Sequence, residues 1–331
     1  MAAEAHDRHG RTINYLRLSV TDRCNLRCRY CVPAGGVAWA AREEHLTDDE
    51  IVRLVALAAQ RGLSKVRITG GEPLVRPGIV ELVARLARLP GITDLPMTTN
   101  GLLLARYAQP LKQAGLHRLN VSVDTLDPTK FAQITGGDAL EKVWAGIAAA
   151  ERAGFSPIKI NMVVQRGIND DECVAMARLT LDRPYHVRFI EYMPVANFDD
   201  WQARHVPNNE VMEMLSRSLG PLKPLERNGQ DGPAQCYQLD GAAGRVGFIS
   251  AISDDHFCGR CNRLRLTADG KLRPCLFSPI EVDLRAALRS GCGDDELHAL
   301  FDQALAIKPP AHELSTAPRE HMLVTMINLG G

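Results

Sequence analysis

Nine cysteines occur in the chain, and six of them fall into two groups whose spacing could do chemistry. Cys24, Cys28 and Cys31 stand in the run Cys24-Asn-Leu-Arg-Cys28-Arg-Tyr-Cys31. Three thiolates so close, on a loop leaving a strand, can face one point and hold a soft metal centre, zinc or iron–sulfur. A structural zinc site takes four ligands. Three cysteines without a nearby histidine suit a cubane better, because its fourth iron stays open for another ligand. Cys258, Cys261 and Cys275 form the second set. Asp269-Gly270 between two alternating runs predicts a hairpin that folds Cys275 back toward the other two. Taken alone this set fits a cluster or a structural zinc equally, the zinc drawing a fourth ligand from His256, Cys236 or Cys292. Beside a cluster upstream, a second cluster with an open iron is the stronger reading. Cys173, Cys236 and Cys292 read as inert single thiols. An odd number of cysteines in such groups is no disulfide framework, and it fits metal ligation in a reducing cytoplasm.

These residues need a scaffold, and the apolar periodicity supplies one. Strands are expected at 15–21, 65–69, 95–99, 118–124, 158–164 and 187–193, with helices between them, the first opened by the capping box Thr47-Asp-Asp-Glu50. Six strand–helix units in succession mean parallel strands with helical crossovers. One face of most strands is apolar (Leu16, Leu18, Val20; Val66, Ile68; Leu119, Val121, Val123; Ile158, Ile160, Met162). The other carries Arg17, Arg67, Thr98, Asn120, Ser122 and Lys159. A sheet covered by helices on both sides would be apolar on both, and a full barrel fills its lumen with branched apolar side chains. The expectation is therefore an α/β fold, an incomplete, three-quarter TIM-like (βα)6 barrel around a wet interior. Burying Arg17, Arg67 and Lys159 in that interior is costly unless an anionic ligand, or Asp124 or Glu72, offsets it. Arg263 and Arg265 alternate on the second cysteine hairpin and share a face.

The 331 residues suffice for one large domain with an appendage or for two ordinary domains. Residues 1–12 read as a flexible tail, 13–196 as the partial barrel, and 197–331 as a C-terminal β-hairpin and helical extension carrying the second cluster. Lys and Arg total 39, as do Asp and Glu. A net charge of zero excludes nucleic-acid or membrane binding through bulk charge. No apolar run is long enough to span a bilayer, and the polar start lacks the core of a signal peptide.

The first cysteine spacing, with Tyr30 ahead of the third cysteine, resembles the radical S-adenosylmethionine (SAM) superfamily. Joined to Gly70-Gly71-Glu72-Pro73, to the spacing of Cys258, Cys261 and Cys275, and to the final Gly330-Gly331, the chain from about Tyr15 onward resembles the MoaA family, the GTP 3′,8-cyclases of molybdenum cofactor biosynthesis. The resemblance implies two [4Fe-4S] clusters and SAM. It implies that a 5′-deoxyadenosyl radical takes hydrogen from C3′ of GTP and that C3′ then adds to C8. It assigns Tyr30, Gly71, Ser122 and Met193 to SAM, and Arg17, Arg67, Thr98, Lys159, Arg263 and Arg265 to GTP. Gly71 would let backbone approach the SAM amino group. Arg17, Arg263, Arg265, Gly330 and Gly331 carry the catalytic assignment, the two glycines as a tail reaching toward the site. The second cluster would bind guanine. Partners implied are an external electron donor such as a flavodoxin or ferredoxin, and cyclic pyranopterin monophosphate synthase as the next enzyme. No nucleic acid or membrane is expected, and the chain would be a monomer or homodimer. Another radical SAM enzyme acting on a peptide or a different nucleotide, and a zinc-stabilised binding protein, remain as alternatives.

Overall fold

The fold comes from a computed structural model that describes residues 4–32, 36–37, 39–194, 201–226, 232–312 and 326–329. Strand β1 (Tyr15–Ser19) leads through the cysteine loop to helix α1 (Asp48–Gln60). The capping box forms as expected: Thr47 Oγ1 accepts from Glu50 N at 3.2 Å, and Glu50 Oε2 accepts from Thr47 N at 2.7 Å. Then come β2 (Lys65–Thr69), α2 (Ile79–Ala87), β3 (Pro96–Thr99), α3 (Leu104–Gln113), β4 (Arg118–Ser122), α4 (Pro128–Thr135), α5 (Leu140–Arg152), β5 (Lys159–Val164), α6 (Cys173–Asp182) and β6 (His186–Glu191). The C-terminal part adds α7 (Trp201–Arg204), α8 (Asn208–Leu219), β7 (Lys223–Pro224), β8 (Gln235–Gln238), β9 (Arg245–Ile249), β10 (Arg263–Leu266), β11 (Lys271–Arg273), β12 (Val282–Asp283), α9 (Leu284–Arg289), α10 (Asp294–Ala306) and α11 (Met326–Leu329).

All twelve strands join one sheet, in the order β12-β11-β10-β1-β2-β3-β4-β5-β6-β9-β8-β7. The expected six parallel strands become eight. β10 pairs in parallel with β1, and β9 pairs in parallel with β6. The segment beyond 197 thus extends the sheet at both of its ends. Antiparallel partners then continue each end, and among the described residues β12 and β7 are the edges of an open sheet. The Asp269-Gly270 hairpin joins β10 to β11, with Gly270 at φ +83°, a conformation that glycine adopts without strain.

The outer face of the parallel strands carries Leu16, Leu18, Val66, Ile68, Met97, Leu119, Val121, Ile160, Met162, Val187, Phe189, Val246, Phe248, Leu264 and Leu266, all buried in one continuous apolar core. Helix faces such as Ile51, Leu54 and Val55 of α1 complete it. Burial of this apolar area drives the fold. It also fixes register, since a slip of one residue would turn the polar face into the helices.

Residues 4–12 do not form the loose tail expected of them. A bridge pairs His6 with Thr12, and Ile13 N donates to Ala5 O at 2.8 Å. Buried Asp7 accepts from His9 N and Arg11 N, closing the turn with Asp7 as its internal acceptor.

Candidate active site

One residue from the inner face of each of the eight parallel strands, or more, lines a single pocket. The sheet therefore curls around it, with its polar side inward. The register places Arg265 of β10 beside Arg17 of β1, and Arg17 beside Arg67 of β2. Three arginines stand abreast on adjacent strands. One step away, Tyr15 lies between Arg263 and Lys65. Arg67 continues the row by donating from Nη1 to Thr98 Oγ1 of β3 at 3.3 Å, and from Nε to the Tyr15 hydroxyl. Across the pocket Arg188 of β6 stands in register with Asn161 and Gly247. A Cβ on Gly247 would come within 3.3 Å of the Arg188 side chain, so glycine clears that guanidinium.

The two carboxylates that could have neutralised this lining do other work. Glu72 accepts from Thr99 Oγ1 at 2.7 Å, Asn100 N at 2.7 Å and Leu74 N at 3.0 Å. Asp124 accepts from Tyr30 Oη at 2.7 Å and Val163 N at 2.8 Å. Burial raises Glu72 to about 7 and Asp124 to about 6, against the hydrogen bonds that favour their charged forms. Among the described residues Arg67, Arg188 and Arg263 form no ion pair with a carboxylate. Asp94 pairs instead with Lys65 and Arg118. The field shows in the titrations. Burial, with Arg188, Arg118, Arg67 and Lys65 close by, pulls Lys159 down to about 6. Tyr15 falls to about 7, burial opposing and Arg67, Arg17 and Lys65 prevailing.

At one end of the pocket lie Cys24, Cys28 and Cys31, at another Cys258, Cys261 and Cys275. All are free thiols. Burial first, then Cys31, Asp124 and Cys24, push Cys28 well above its ordinary value. In the second set, Cys261 goes the other way, to about 6, because Arg263 and Lys308 overcome its burial. No three Cys, His, Asp or Glu side chains among the described residues converge tightly enough for a single metal ion. A mononuclear zinc shell needs that convergence, whereas a cubane gives each thiolate its own iron. The donor sets therefore fit clusters. Of the fourth zinc ligands considered, His256, Cys236 and Cys292 do not line the pocket.

A model of the radical SAM superfamily matches residues 18–180, and one for molybdenum cofactor synthesis C matches residues 185–314. A GTP 3′,8-cyclase of Pelotomaculum thermopropionicum is 52% identical over 322 residues, covering 97% of this chain and 99% of its own. That of Geobacter sulfurreducens is 47% identical over 328 residues, 99% of this chain and 100% of its own. The chain belongs to the GTP 3′,8-cyclase family. Solved structures support the fold of this family member. Streptococcus suis SuiB bound to precursor peptide SuiA superposes with a TM-score of 0.56 at 15% identity, covering 90% of this chain and 67% of its own. Native anSMEcpe with bound AdoMet gives 0.54 at 14% identity, covering 96% and 87%.

Most residues expected to serve the cyclase site converge. Arg17, Arg67, Thr98, Arg263 and Arg265 line the pocket, as do Tyr30, Gly71, Ser122, Met193 and all six clustered cysteines. Lys159 does not. It is buried on the inner face, in register with Asn120 and His186. Gly71 has a packing reason of its own. A Cβ there would meet the carbonyl oxygens of Arg23 at 2.4 Å and Asp22 at 2.6 Å, so its bareness serves packing against the cysteine loop. Gly71 N donates to Thr21 O at 2.7 Å in the same contact. Gly330 and Gly331 lie outside the described residues, although Met326 and Ile327 just before them line the pocket. Sequence reasoning put Asn161 on the polar inner face without giving it a role, and it missed Tyr15 and Arg188, which the alternation that found Arg17 also puts inward. It missed Lys308 too, for which no periodic signal exists.

Proposed function

We propose that this pocket carries out the family's reaction, closing C3′ of GTP onto C8 of guanine. The observation that supports it most is the row Arg265–Arg17–Arg67, set in register between two cysteine triads in one cavity. Cys24, Cys28 and Cys31 would hold a [4Fe-4S] cluster, which together with SAM would supply the radical chemistry that takes hydrogen from C3′. The chain's own residues handle placement. The arginine row binds the triphosphate, which offsets the cost of burying its cations. Thr98 steadies Arg67 by accepting its hydrogen bond. Lys159 acts on the phosphates through its field. Tyr30, held by Asp124, forms one wall for SAM with Gly71, Ser122 and Met193. Cys258, Cys261 and Cys275 hold the second cluster on the guanine side, and Arg263 and Arg265 orient the substrate beside it. The shared pocket sets which ribose hydrogen faces the radical, so orientation is the main protein contribution. We also assign a part in catalysis to Gly330 and Gly331, as the family resemblance implies.

In this reading residues 13–196 serve SAM and residues 197–331 the nucleotide and second cluster, around a partial barrel. An external flavodoxin or ferredoxin delivers the electron, and cyclic pyranopterin monophosphate synthase takes the product. The protein works as a monomer or homodimer in the cytoplasm. No helix is long and apolar enough to cross a membrane among the described residues. The test is anaerobic reconstitution with iron and sulfide, addition of reductant, SAM and GTP, and mass spectrometry of the small molecules. A rearranged nucleotide with the mass of GTP, formed with 5′-deoxyadenosine and methionine, is expected. Deoxyadenosine beside unaltered GTP would make the substrate wrong. No deoxyadenosine from a protein with both clusters loaded would overturn the radical chemistry.

A further inference from the structure

Lys308 is only 2% exposed, among the most buried of the chain's large side chains. Its ammonium donates to Pro274 O at 2.6 Å, to Arg263 O at 2.9 Å and to Cys261 Sγ at 3.5 Å. All three of its donors are thereby used, and all three acceptors belong to the second cysteine site. Pro274 precedes Cys275, and Arg263 follows Cys261 by two residues. One side chain from the C-terminal segment thus ties the third cysteine to the first pair. Among the described residues no carboxylate pairs with it, and Arg263 adds a second cation at the same place. A buried ammonium without a counter-charge is costly, so the surroundings must supply a negative group. Three thiolates on a dicationic cubane core leave one net negative charge, and two after one-electron reduction, which Lys308 and Arg263 together match. The segment is itself fixed. Arg11 donates to Cys258 O at 2.9 Å, Pro309 O at 2.6 Å and Pro310 O at 2.9 Å, with Asp7 holding its Nε at 2.6 Å.

We propose that Lys308 is a positioning residue for the second cluster, its buried ammonium neutralising the cluster and raising its reduction potential. Reduction adds negative charge, and a cation at hydrogen-bond distance from a ligand sulfur stabilises the reduced form. The inference rests on Cys258, Cys261 and Cys275 being cluster ligands.

The test uses full-length protein in which Cys24, Cys28 and Cys31 are replaced by alanine, so that iron and paramagnetic signals belong to the second site. No iron in that parent would overturn the ligand assignment, whatever Lys308 does. With iron present, Lys308→Met, Lys308→Gln and Lys308→Arg are compared by iron and sulfide content and by electron paramagnetic resonance during a redox titration. The expected result is a more negative midpoint in the methionine and glutamine variants, returned toward the parent value by arginine. An unmoved midpoint in fully loaded Lys308→Met overturns the proposal. If the methionine variant loads no iron, restored loading and potential in Lys308→Arg, but not in Lys308→Gln, support a role for the charge. Equal restoration by glutamine, or none by arginine, overturns it.

Discussion

At the scale of single residues, the pocket gathers cations on adjacent strands, and two consequences can be measured. Replacing Arg17 by alanine removes the middle of the three-arginine row. A charge-assisted hydrogen bond contributes about 1.5–3 kcal/mol, so GTP should bind roughly 10- to 100-fold more weakly. Binding of SAM to the far wall should change little. Isothermal titration with each ligand separates the two, and an unchanged GTP affinity would remove Arg17 from the site. The second consequence is a proton. Burial and the neighbouring cations pull Lys159 down to about 6, and Arg67, Arg17 and Lys65, against burial, bring Tyr15 to about 7. A triphosphate reverses that field and raises both values, so each group takes up a proton on binding near neutral pH. GTP affinity should therefore fall as pH rises above about 6, in the direction opposite to that set by phosphate ionisation alone. Calorimetry in buffers of different ionisation heat should show net proton uptake, reduced in Lys159→Met. Uptake that is the same in the variant would disconnect Lys159 from the phosphates.

At the scale of elements, Gly71 shows how a loop and a turn are locked together. Gly71→Ala would drive a methyl into the Arg23 and Asp22 carbonyls, and strain of this kind costs about 1–3 kcal/mol. Because those carbonyls lead directly into Cys24, the variant should lose iron from the first site while the second stays loaded. Iron analysis in backgrounds lacking one triad or the other would reveal the asymmetry, and equal loading would show that the loop tolerates the shift. The same elements explain what could be read from sequence. Strands β1 to β6, their helices and the inward polar face were legible, because alternation and capping are local signals. The cysteine triads were legible because spacing along the chain limits which thiols can meet. The parallel pairing of β10 with β1 and of β9 with β6 was not. It depends on contacts between strands far apart in the chain, which leave no periodic trace. Lys308 escaped for the same reason, since nothing around Lys308-Pro-Pro marks it as a partner of Cys261. At Gly71 the sequence shows a need for bareness, and the structure adds the Arg23 and Asp22 carbonyls as neighbours that require it.

At the scale of the whole molecule, the first and last parts of the chain close on the same loop. The turn at 4–12 presents Arg11 to Cys258 O and to the carbonyls of Pro309 and Pro310. The second cysteine set is therefore held from two sides, by β10 in the sheet and by this clasp. The first set has no such dependence, because its loop packs on Gly70 and Gly71 within the parallel strands. Arg11→Ala leaves three carbonyls without that donor and frees Asp7, at a cost of about 2–3 kcal/mol. Of the turn only Ala5 joins the apolar core, so the cost should fall on local opening rather than on global unfolding. Hydrogen exchange should quicken in residues 258–275 and 308–312 and stay unchanged in β2 to β5. Iron should be lost faster from the second site than from the first when a chelator is added. Exchange that quickens evenly across the sheet would mean that the turn is an integral part of the core. Exchange unchanged everywhere would mean that the sheet alone holds the second site.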